Sequence, residues 1–113
     1  MSTEPLDVRG LVHAAAGAPW AGMPLGTTIG HVHLHVGDID EAAAYYHHGL
    51  GFDKVVWNYP GALFLSAGGY HHHLGTNTWA AGAPSAGEND ARLLDWEIVV
   101  PRAEDAEAAA RSV

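Results

Sequence analysis

Six of the nine histidines in this chain fall in two short runs, and there is no cysteine to share a metal with them. His31, His33 and His35 alternate with Val32, Leu34 and Val36, while His71, His72 and His73 are consecutive. Imidazoles hold a metal when several nitrogens converge within about 2.0–2.1 Å of one ion. Successive side chains on a strand point to opposite faces, so a strand presents His31, His33 and His35 together. The same rule pairs His71 with His73 and turns His72 away. If both strands belong to one curved sheet, the two sets face a common concavity. Asp95 and Glu97, also two apart, would add carboxylates. A mixed histidine and carboxylate set with open positions suits Fe(II), Mn(II), Zn(II) or Ni(II). The plainer alternative is a solvated strand face. For His47 and His48 the plain reading is preferred, because an imidazolium at a helix C-terminus interacts favourably with the dipole. His13 is read as uninvolved. Trp57, Tyr59, Asn77 and Trp79 are candidates to line a pocket.

The elements that would position these groups are legible from patterning. Residues 29–36 alternate strictly, which predicts a strand. Asp38 follows as an N-cap, with Glu41 three residues on, and the helix runs to Gly49, a C′ glycine. Residues 52–59 predict a second strand, Pro60-Gly61 a turn, 62–67 a third strand, Gly68-Gly69 another turn, and 70–78 a fourth strand. The unit at 29–79 is therefore β-α-β-β-β. Residues 80–92 read as a linker. Residues 1–28, broken by Pro5, Gly10, Gly17, Pro19, Gly22, Pro24 and Gly26, read as a leader. It has room for a short helix between Leu6 and Ala16, and Trp20 and Met23 are candidate anchors onto the body.

The pattern then restarts. A shift of 64 positions lays Ile29 on Leu93, Val32 on Trp96, Leu34 on Ile98 and Val36 on Val100. His31 falls on Asp95 and His33 on Glu97. Residues 93–113 read as the strand and helix of a second unit whose three remaining strands are absent. Such a truncation exposes a sheet edge and apolar surface. The expectation is a homodimer, two βαβββ units pairing about a two-fold axis.

Composition closes off other functions. A chain of 113 residues holds one compact domain. With 48% hydrophobic and 16% charged residues it can bury a core. Five Lys+Arg against thirteen Asp+Glu, a formal charge of −8, leave no basic stripe for nucleic acid and disfavour anionic membranes. No apolar run approaches the roughly 20 residues of a membrane span. No basic-then-apolar signal opens the chain, so a cytoplasmic location is expected. No Gly-x-Gly-x-x-Gly, P-loop or Gly-x-Ser-x-Gly sequence appears, and nucleotide chemistry and serine hydrolysis are not supported.

The stretch Ile29-Gly30-His31-Val32-His33-Leu34-His35-Val36-Gly37-Asp38, followed by Ala44-Tyr45-Tyr46 and Gly49-Leu50-Gly51-Phe52, resembles the opening of a vicinal oxygen chelate module. That superfamily takes in glyoxalase I, bleomycin-resistance proteins, fosfomycin-resistance enzymes and extradiol dioxygenases. The run from Pro60 through His71-His72-His73-Leu74-Gly75, with Asn77-Thr78-Trp79, is similar to the C-terminal half of catechol 2,3-dioxygenase-like proteins. The resemblance implies an α+β fold of the glyoxalase/bleomycin resistance/dihydroxybiphenyl dioxygenase type. There, βαβββ units build a mixed curved sheet into a cup around a divalent metal, Fe(II) or Mn(II) before Zn(II) or Ni(II). It implies His31, His73 and Asp95 as metal ligands, His73 also as an acid–base group, and His33, His35, His71, Asn77 and Trp79 around the substrate. The implied partner is a small aromatic or other small molecule, cleaved as a catechol. The alternatives are a cup that sequesters an antibiotic-like ligand without catalysis, or a metal-dependent lyase or isomerase of the same superfamily.

Overall fold

The computed structural model describes residues 4–113. In the leader, Asp7 accepts a hydrogen bond from the Gly10 amide and starts helix α1, Val8–Ala14. None of its residues is buried. Trp20 and Met23, expected as anchors, are 78% and 67% exposed, so the leader does not dock through them.

The βαβββ unit forms as expected. Strand β1 is Val32–His35. Helix α2, Ile39–Ala43, begins where the Asp38 carboxylate accepts from the Asp40 and Glu41 amides at 2.7 and 2.9 Å. This satisfies two of the helix's orphan donors. The helix continues as a π-helical stretch, Ala44–Gly49. Strands β2 (Asp53–Val56), β3 (Ala62–Ser66) and β4 (Leu74–Asn77) complete an open mixed sheet in the order β1-β4-β3-β2. β1 and β4 are parallel and the other pairs antiparallel.

Register assigns the two faces. Val32 pairs with Leu74, and Leu74 with Leu65. Together with Leu63 they pack beneath Ala42, Ala43 and Phe52, and this is the core. The small alanines let the helix approach the sheet closely. On the opposite face His33 lies across from Gly75 and Phe64, and His35 across from Asn77 and Ala62. The alternation in β1 thus buries the aliphatic face and opens the histidine face.

Two expected strands differ. The fourth begins at Leu74, not residue 70, because eight residues separate the paired Leu65 and Leu74. Gly68 and Gly69, at φ 64° and 77°, turn inside that loop, and His71 and His72 precede the ladder. The expected strand at 93–100 does not form: the segment has no strand partner among the described residues. A strand persists by pairing its N–H and C=O groups, and here a cleft separates this segment from residues 29–32. The segment is held by Trp96, whose ring lies 6.5 Å from that of Tyr46. Helix α3, Ala103–Ser112, forms as expected and is tied back by Ser112 Oγ donating to the Gly49 carbonyl at 2.6 Å. The accessible surface is 9001 Å², against about 5,900 Å² expected for a compact chain of this mass. Exposed apolar side chains of the leader and of 93–100 belong to the excess.

Candidate metal centre

Three imidazoles converge where β1 begins and the β3–β4 loop ends. The ring nitrogens of His31, His71 and His72 that could each serve as a ligand all lie within 4.8 Å of one another. Ring centroids are 4.4 Å apart for His31 and His72, and 4.5 Å for His71 and His72. His72 is buried, edge-on to Phe64 at 5.2 Å, whereas His31 and His71 are exposed. Burial lowers the pKa of His72, and the neighbouring imidazoles, His31 first, lower it further. A neutral imidazole is the form that binds a metal or accepts a proton.

The donor set fits a divalent ion of the kind imidazole holds. With metal–nitrogen bonds of about 2.0–2.1 Å, two ligand atoms stand at most about 4.2 Å apart. The clustered nitrogens, all within 4.8 Å of one another, lie close to that limit. No carboxylate joins the cluster among the described residues. Asp95 is exposed and lies outside it; Glu97 lines, with His31, His73 and Trp96, a cleft of about 420 Å³.

The other expected site residues take different places. His73 is not in the cluster. Its Nδ1 accepts from the Ala67 amide at 3.2 Å and lies 3.2 Å from Ser66 Oγ, with the Tyr70 ring 4.6 Å away. His33 lies over Gly75, where an added Cβ would fall 2.6 Å from its Nδ1. Its Nε2 meets Asn77 Nδ2 at 2.6 Å, and Asn77 Oδ1 accepts from the Trp79 amide at 3.1 Å. Burial lowers the pKa of His33, with His31 and His35 adding to the effect. Trp79 continues the face, 6.4 Å from His33 and 6.3 Å from Tyr59. His35 is exposed beside the 80–86 segment. His47 Nδ1 lies 2.5 Å from the carbonyl of Phe52, beyond the end of the helical stretch.

His72 is the residue that sequence reasoning turned away from the site. The two-residue alternation that assigned its face holds only inside a strand, and the triplet lies outside one. The available signal was Gly68-Gly69 before the triplet and Gly75 after it, which marks a late strand start.

A βαβββ sheet with imidazoles converging at its open face defines a class. The chain belongs to the glyoxalase/bleomycin resistance protein/dioxygenase superfamily, whose family model matches residues 28–111. It is 45% identical over 116 residues to the catechol-2,3-dioxygenase of Bacillus subtilis (strain 168). That match takes in all of this chain and covers the C-terminal part of the relative, 40% of its length. No solved structure matches.

Proposed function

We propose that this chain carries the metal-holding site of an extradiol-type dioxygenase that acts on a catechol. The convergence of His31, His71 and His72 on the open face of the sheet carries the reading. The 45% identity to a catechol-2,3-dioxygenase supports it. A divalent ion, Fe(II) or Mn(II) before Zn(II) or Ni(II), supplies Lewis-acid polarisation and a template for two vicinal oxygens. The chain's own residues do the rest. His31 and His71 present exposed ring nitrogens to the ion. Neutral His72, shielded by Phe64, offers the third ring nitrogen to the ion. Tyr59, Phe64 and Trp79 form an aromatic wall against which a flat ring stacks. Asn77 fixes the His33 ring on that wall.

A homodimer completes the reading. The exposed Leu93, Leu94 and Val99 give a second copy an apolar surface to cover. One observation favours a second reading, a cup that sequesters a small molecule without turnover. The cluster has no carboxylate among the described residues, and the cleft beside it has mostly apolar walls. Oxygen uptake separates the two. Protein reconstituted anaerobically with Fe(II) and given catechol consumes oxygen and yields a ring-opened product. His72→Ala, which removes one of the three ligands, lowers the rate by about 100-fold or more. No uptake by the reconstituted protein overturns the dioxygenase reading.

A further inference from the structure

Arg92 is a guanidinium without a carboxylate partner in an acidic chain. Thirteen Asp+Glu stand against five Lys+Arg. Among the described residues Arg102 pairs with Glu104 and Asp105, Arg111 pairs with Glu107, and no carboxylate pairs with Arg92. Arg92 Nη1 donates to the Ala86 carbonyl at 3.4 Å, a single contact for a group that carries five N–H donors. The side chain lines a groove of about 580 Å³. One wall of the groove is residues 33–37, and the other is Ala80, Ala81, Ala83, Pro84 and Ala86. No acidic residue lines it among the described residues. The 33–37 wall supplies further donors. β1 is an edge strand, paired with β4 alone. The Val32 and Val36 amides donate to the His73 and Asn77 carbonyls at 2.9 and 2.8 Å. Alternate residues of a parallel strand bond the same neighbour. The His33 and His35 amides therefore face the free edge, where no strand pairs with them among the described residues.

We propose that this groove binds a small organic carboxylate, anchored by the Arg92 guanidinium and the backbone amide of His35. His35 is the middle residue of the 33–37 wall. Its amide and that of His33 stand about 6.6 Å apart, two residues of strand, so one carboxylate meets one of them. The planar fork of Arg92 matches the two carboxylate oxygens, and such charge-assisted bonds are among the strong ones. Both donors keep their protons near neutral pH, since arginine is not deprotonated in proteins. The alanines, Pro84 and Leu93 give an apolar body behind the carboxylate a surface to cover. The volume of about 580 Å³ falls within the range of small-molecule pockets, about 300–1,000 Å³. None of His31, His71 and His72 lines the groove. The carboxylate site is thus separate from the metal cluster and does not depend on the dioxygenase reading.

Nitrogen-15 NMR of the full chain, titrated with hexanoate, tests the site. The expected result is a saturable shift of the His35 amide and of the Arg92 Nε signal. Hexanamide, of the same length but uncharged, leaves both signals in place. Arg92→Gln weakens hexanoate binding by about tenfold to a hundredfold, as expected for lost hydrogen bonds to a charged group. Arg92→Lys keeps the charge and loses the fork, and its affinity lies between those of the wild type and Arg92→Gln. Arg9→Gln, on the exposed helix α1, binds hexanoate like the wild type. Arg92 is exposed, so its substitution leaves the fold in place, and unchanged amide signals in β2 and β3 verify this. Absence of a saturable shift at His35, equal affinity of the wild type and Arg92→Gln, or equal binding of hexanamide overturns the proposal. Tighter binding of inorganic phosphate than of hexanoate overturns it as well, since the groove would then select another class of anion.

Discussion

In residues 29–79, an alternating strand, a capped helix and three further strands close around Leu63, Leu65 and Leu74. In residues 93–113 the same alternation is followed by the same kind of helix, yet among the described residues no strand pairs with residues 93–100. The difference lies in the return of the chain. β4 comes back to hydrogen-bond β1 in parallel, residue for residue from Val32 with Leu74 to His35 with Asn77. No strand performs that service for residues 93–100. Alternation decides which side chains share a face, and a ladder decides whether there is a strand to have faces. The histidines converge in the first region because the β1–β4 ladder brings His31, just before β1, beside His71 and His72 in the loop that leads into β4. Asp95 and Glu97 have no such frame.

Substitutions can break that contrast. The largest effect is expected at Leu65, which is fully buried between β4 and the helix. Leu65→Ala costs about 2–5 kcal/mol of unfolding free energy in urea titrations. A loss below about 1 kcal/mol would mean that this sheet is not the folded core. Next comes Asp38→Ala, which removes the acceptor for two amides at the start of α2 and costs about 1 kcal/mol. An unchanged midpoint would show that the helix is held by packing alone. The smallest effect on the chain's own stability is expected at Val99, 87% exposed. Val99→Asp stays within about 0.5 kcal/mol of the wild type. The same variant sharpens the comparison by its effect on assembly. In sedimentation velocity the wild-type chain runs as a dimer and Val99→Asp shifts toward monomer. A wild-type monomer at micromolar concentration would contradict the dimer.

What could be read from the sequence followed local rules. The faces of β1 follow from strict alternation over the six residues His31 to Val36. The start of α2 follows from Asp38 and its spacing to Glu41. The βαβββ order follows from the turns at Pro60-Gly61 and Gly68-Gly69. The site was less legible because it depends on where pairing stops. One strand residue more or less decides whether His72 or His73 meets His31, and the eight residues between Leu65 and Leu74 leave His71 and His72 off the ladder. The Ala67 amide that occupies His73 Nδ1 is a backbone group, which no side-chain pattern announces. Nor does the repeat at Asp95 reveal that its segment lacks a partner.

The central claim is that His31, His71 and His72 together hold one divalent ion. Metal content after equilibrium dialysis against Co(II) tests it most directly, with wild-type protein beside His31→Ala, His72→Ala and His73→Leu. The expected result is one ion per chain in the wild type and in His73→Leu, and loss of most of it in His31→Ala and His72→Ala. Retention by His72→Ala with loss by His73→Leu would contradict the account and place the ion on the other side of the triplet.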